Sequence, residues 1–168
     1  GANTLSFFAD KQKYDVGEVA KIQLPKATQG RALLSIENGS SVLQQRWVEF
    51  NKENTVVDLT ITEDMSPNVY VSVTLIQPHK DKKNDRPIRL YGVIPVKVND
   101  PKTKLAPVLT AADEWIPQSV AKVTVAEENG RPMTYTLAMV DEGLLGLTNY
   151  KTPNLRKHFY KKEALGVN

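Results

Sequence analysis

Two histidines, His79 and His158, are the side chains best suited to moving protons near neutral pH, and they stand 79 positions apart in a chain of 168 residues. There is no cysteine, which removes thiolate nucleophiles, disulfides and cysteine-ligated zinc together. No Gly-x-Ser-x-Gly elbow occurs, and no spacing sets either histidine beside a serine and a carboxylate. The chain therefore reads as non-catalytic, with no catalytic or cofactor-binding residue expected and both histidines solvated.

Asp81, Asn84 and Asp85 place oxygen ligands in one loop, a pattern that invites calcium, but Lys80, Lys82, Lys83 and Arg86 surround them with opposing charge. No metal site is expected there. Glu127-Glu128 and Asp113-Glu114 read as charges that keep strand edges soluble. Near the C-terminus, Lys151, Arg156, Lys157, Lys161 and Lys162 gather around Phe159 and Tyr160, a combination that suits a phosphate or a membrane surface. A solvated face is the simpler reading, and without a glycine-rich phosphate cradle or an aromatic ladder, neither nucleic acid nor direct membrane contact is expected. Asn38-Gly39-Ser40 matches a glycosylation sequon, although a tight turn explains it as well.

The elements that would carry these residues are strands. Segments rich in Val, Ile, Leu, Tyr and Trp recur about every ten residues between Gly, Asn, Pro and charged clusters, the spacing of an all-β sandwich. Strands are expected near 5–8, 19–24, 31–37, 42–50, 55–61, 68–77 and 88–98. Val69, Val71, Val73 and Leu75 alternate with polar residues and should face the core, and Trp47 should join them. Asn38-Gly39 supplies two positive-φ positions for a hairpin turn, and a second hairpin should span a polar, proline-bracketed loop at 78–87.

Hydrophobic residues make up 40% and charged residues 24%, as in soluble globular proteins, and the net charge is +3. That charge comes from the end of the chain, since residues 1–150 hold 17 basic and 18 acidic residues. No apolar run reaches the ~18 residues that cross a bilayer, and the start at Gly1 reads as a processed or engineered end that leaves the compartment open.

Asn99-Asp100-Pro101-Lys102-Thr103-Lys104 interrupts the pattern, which places a boundary near 100, after a complete seven-stranded module over 1–100. The remainder, 101–168, is expected to hold strands near 106–110, 119–126 and 132–140, with Asn129-Gly130 turning between the last two. Val19-Ala20-Lys21-Ile22 is echoed by Val120-Ala121-Lys122-Val123, and Tyr14 by Trp115, at a common offset of 101 residues. Thr152 and Pro153 suit the start of a short helix over 153–164, ended by Gly166. Three strands and one helix cannot close a sandwich, so this module reads as unfinished.

The run Leu137-Ala138-Met139-Val140-Asp141-Glu142-Gly143-Leu144-Leu145-Gly146-Leu147-Thr148-Asn149-Tyr150-Lys151-Thr152-Pro153, followed by Phe159-Tyr160, resembles a signature of bacterial alpha-2-macroglobulins. Tyr14-Asp15-Val16-Gly17-Glu18-Val19 is similar to the opening of that family's domains, and Leu90-Tyr91-Gly92-Val93-Ile94-Pro95-Val96 to a closing strand. Two departures stand out: the family often carries Trp where this chain has Leu155-Arg156-Lys157, and Pro-Gly where it has Pro117-Gln118.

The resemblance implies tandem macroglobulin-type antiparallel β-sandwiches of immunoglobulin or fibronectin-like form, the fifth such domain and the start of a sixth that a bait region interrupts. Val140, Asp141, Glu142, Gly143, Leu144, Leu145, Leu147, Thr152, Pro153, Phe159 and Tyr160 would be structural residues beside that bait. The implied role is scaffold for a broad-spectrum inhibitor that traps proteases after bait cleavage, without cofactor or metal. Target proteases, met through the parent protein, and neighbouring macroglobulin domains would be the partners. A periplasmic or cell-envelope location follows, with any membrane anchor in another part of the parent. The alternative is a sandwich module of a cell-surface adhesin or carbohydrate-binding protein, using loops at one end.

Overall fold

Alternation of apolar and polar residues governs the first hundred positions, and strands follow it closely. The computed structural model describes residues 4–26, 30–50, 54–77 and 88–166. The 78–87 loop, with His79 and the Asp81, Asn84 and Asp85 group, lies outside the described residues. Strands β1 (Phe8–Ala9), β2 (Lys13–Asp15), β3 (Val19–Leu24), β4 (Arg31–Glu37), β5 (Val42–Glu49), β6 (Thr55–Thr60), β7 (Asn68–Gln77) and β8 (Ile88–Asn99) form two sheets. One runs β1-β3-β6 and the other β2-β8-β7-β4-β5, antiparallel except where β2 joins β8. Ala20, Ile22 and Leu24 from one sheet meet Leu34, Val71, Val73 and Leu75 from the other in one buried cluster, so the pair is a β-sandwich.

The Tyr14–Glu18 segment shows why its pattern opens a module. Tyr14 is buried, and its hydroxyl donates to the Asp10 carboxylate at 2.6 Å while accepting from the Lys11 amide at 2.8 Å. Burial, then this bond, pushes the phenol up to about 12. Gly17 takes a φ of 95°, which favours glycine, and the Glu18 carboxylate accepts from the Asp15 amide at 2.7 Å to close the turn.

Two expectations in this region are corrected. The β4–β5 hairpin forms, but neither Asn38 nor Gly39 has a positive φ. Instead the Asn38 side-chain oxygen accepts from the amides of Ser40 at 3.0 Å and Ser41 at 2.8 Å, closing a longer turn. Trp47 is 51% exposed, because the register sets it opposite Leu33 on the outer face, while Val48 takes the inward place opposite Ala32. The Arg31 guanidinium lies 5.0 Å from its ring centroid.

Contacts divide the chain into one unit of Gly1–Pro101 with Lys157–Asn168 and another of Lys102–Arg156. In the second, β9 (Pro107–Thr110) and β10 (Thr124–Glu127) pair antiparallel, followed by helix α1 (Glu142–Thr148). No strand forms over 132–140, and the Asn129-Gly130 turn follows β10 without starting a partner for it. Residues 120–123 are not strand either, so the echo of β3 does not extend to structure. The last helix, α2, covers Leu155–Phe159 alone, leaving Thr152 and Pro153 outside it and residues 161–166 non-helical.

Candidate functional site

Asp141 starts α1 for a local reason. Its side chain accepts from the Gly143 amide at 2.8 Å, and its carbonyl accepts from the amides of Leu144 at 3.1 Å and Leu145 at 3.2 Å. Glu142 adds negative charge in the first turn, and Asn149 ends the helix in the left-handed conformation that asparagine tolerates. Of the motif residues, Val140, Leu144, Leu145 and Leu147 are exposed, Leu147 at 86%. Thr152 and Pro153 lie in the connection to α2, where Phe159 is 73% exposed and Tyr160 follows at its end. Asp141 through Leu145 are thus joined by capping, and the others are spread along an exposed chain rather than gathered about a cavity.

Glu127, read from sequence as an edge charge, is buried at 4% exposure. It accepts from the Asn129 amide at 2.9 Å and from the Arg131 guanidinium at 3.1 Å, and that guanidinium also donates to the carbonyls of Lys102 at 3.2 Å and Lys104 at 3.0 Å. The bonds from Arg131, with the amides behind them, hold the carboxyl down to about 2. This one pair fastens the turn after β10 to the segment that opens the unit.

Beyond α2 the chain returns to the first sandwich as an extended strap. Asn68, at the start of β7 and 1% exposed, faces the strap with its amide. Its oxygen accepts from the Glu163 amide at 2.7 Å, and its nitrogen donates to the Glu163 carbonyl at 3.1 Å. The Tyr70 hydroxyl donates to the same carbonyl at 2.9 Å, and Lys162 stands 5.9 Å from the Tyr70 ring centroid. Gly39 and Gly166 let the backbones meet, since a Cβ on Gly166 would be 2.6 Å from the Gly39 carbonyl oxygen. The Glu163 amide, which a helix over 153–164 would have donated to the Phe159 carbonyl, goes to Asn68 instead. Asn68, Tyr70 and Glu163 gave no sequence signal as a set.

Two packed antiparallel sheets with a short parallel edge define a β-sandwich protein, here followed along the chain by a capped helix and a returning strap. Residues 5–147 match the family described as the alpha-2-macroglobulin bait region domain, and the chain belongs to that family. It is 25% identical over 166 residues to the alpha-2-macroglobulin of Escherichia coli strain K12, covering 94% of this chain and 10% of that protein. The fold is similar to the native conformation of E. coli alpha-2-macroglobulin, with a TM-score of 0.56 and 18% identity over 99% of this chain and 11% of that one. Trypsin-activated E. coli alpha-2-macroglobulin is similar with a TM-score of 0.51 and 19% identity, over 97% and 11%. The chain thus spans about a tenth of the length of these relatives.

Proposed function

We propose that this chain is scaffold from a broad-spectrum protease inhibitor, supplying the approach to a bait segment whose cleavage leads the parent protein to enclose the protease. The match of residues 5–147 to the bait region domain is the observation that carries this reading. The trypsin-activated state of a relative supports it further, as does the well-packed sandwich, because a cut elsewhere moves a domain as a unit only where it stays rigid.

In this reading residues 1–100 are the fifth macroglobulin domain and 101–168 the first part of the sixth. The exposed apolar side chains of the second unit, such as Ile116, Leu144 and Leu147, are then surface for the rest of that domain. Val140 through Leu145, Leu147, Thr152, Pro153, Phe159 and Tyr160 act structurally beside the bait. Target proteases and neighbouring macroglobulin domains are the partners, and the parent works in the periplasm or cell envelope, with this chain as non-catalytic scaffold. Among the described residues no helix is long and apolar enough to cross a membrane, and any membrane anchor would belong to another part of the parent. Trp47 and Tyr91 do stand exposed, as an adhesin or carbohydrate-binding face would have them, but family membership favours the scaffold.

The test is brief treatment of the longer parent with several unrelated proteases, with early cuts mapped by mass spectrometry and compactness followed by scattering. Early cuts by all of them just after Asn168, with a change of shape, are expected; scattered cuts without rearrangement would reject the trap.

A further inference from the structure

We propose that Asn68, Tyr70 and Gly39 form a clamp for peptide backbone whose occupant is the chain's own segment 162–166. Resting on the reading above, the clamp sets the fixed end from which a cleavable bait runs. Asn68 offers one acceptor and one donor, and Glu163 answers with its amide and its carbonyl at 2.7 and 3.1 Å. This is the pairing that a neighbouring strand would make, supplied here by a side chain. With the strap in place Asn68 is only 1% exposed, so both hydrogen bonds to Glu163 are shielded from water and the strap's main chain is what satisfies this amide.

The clamp reads backbone, not side chains. Asn68 and Tyr70 donate to the Glu163 carbonyl and Asn68 accepts from the Glu163 amide, three hydrogen bonds to main chain alone, and Gly39 admits the strap where a Cβ would stand 3.1 Å from the Ala164 carbonyl oxygen. The neighbouring Lys161 and Lys162 nevertheless keep exposed side chains, the residues a trypsin-like protease selects. A protease must draw several residues of extended backbone into its cleft, and a clamped Glu163 withholds them. Cleavage is thereby directed beyond the clamp, and force from a cut segment would be delivered to β7 through Asn68.

The 168-residue chain itself is the material for the test: trypsin cleavage at Lys161 and Lys162 is timed by mass spectrometry beside exchange of the Glu163 amide. Asn68→Ala should speed both by roughly tenfold, the effect of losing a buried hydrogen-bonded pair. If Asn68→Ala also loosens the sandwich, Tyr70→Phe and Gly166→Ala decide, each with a several-fold rise in cleavage at an unchanged melting temperature. A Glu163 amide that exchanges as fast as free coil, or cleavage indifferent to all of these variants, would overturn the clamp. Either result is independent of whether the parent traps a protease.

Discussion

A Cβ placed on Gly92 would stand 2.1 Å from the carbonyl oxygen of Leu5, so the N-terminal segment lies against β8 at a distance that glycine alone permits. The Leu5 amide donates to the Tyr91 carbonyl at 2.9 Å, which fixes this approach and carries the buried Leu5 and Phe7 into the core. Gly92→Ala must displace backbone and should destabilise the sandwich by about 2–3 kcal/mol in chemical denaturation. A cost below about 0.5 kcal/mol would show that the segment moves aside freely.

Trp47 and Leu75 should respond in opposite measure to their size. Leu75 is 1% exposed within the core, so Leu75→Ala should cost about 2–5 kcal/mol. Trp47→Ala removes a half-exposed ring and its contact with Arg31, worth about 1 kcal/mol or less. Denaturation of the two variants side by side checks the order.

Gln118 has a φ of 62°, left-handed backbone at the position where the family's Pro-Gly pattern places glycine. Gln118→Gly should therefore relieve about 1 kcal/mol of local strain, seen as slower amide exchange in the second unit. Faster exchange would mean that the side chain contributes more than its backbone costs.

Glu127 should show in acid. Its folded pKa is depressed from 4.5 to about 2, so its contribution is complete above the ordinary carboxylate range and is lost as the pH falls through about 2. Carboxyl titration by NMR, with exchange at the Asn129 amide, follows it directly. Glu127→Gln should remove the pH dependence and loosen the turn at neutral pH, whereas a carboxyl titrating near 4.5 would place it in solvent.

The sandwich was legible because β3 and β6 bury alternate residues and β7 buries its Val69, Val71, Val73 and Leu75 series, and the pleat turns that pattern into a face. Trp47 was misjudged because its strand, Leu43-Gln44-Gln45-Arg46-Trp47-Val48, offers apolar residues to both faces, and only the pairing with β4 chooses between them. Helix α1 went unread because Gly143 and Gly146 mask it, although Asp141, Glu142 and Asn149 mark its ends. Glu127 and Asn68 were hidden for another reason. Glu127 pairs locally with Arg131, four residues on, but the Lys102 and Lys104 carbonyls that this guanidinium also binds lie 29 and 27 residues before it, and Glu163 meets Asn68 from 95 residues away; no local pattern encodes these distant meetings.

Enclosure of a protease is tested most directly by its remaining activity after reaction with the longer parent, measured on a small peptide and on a large protein substrate. A protease that keeps most of its activity on the peptide and loses it on the protein, in step with bait cleavage, is the outcome expected of a trap. Equal retention on both substrates, or equal loss, would contradict it.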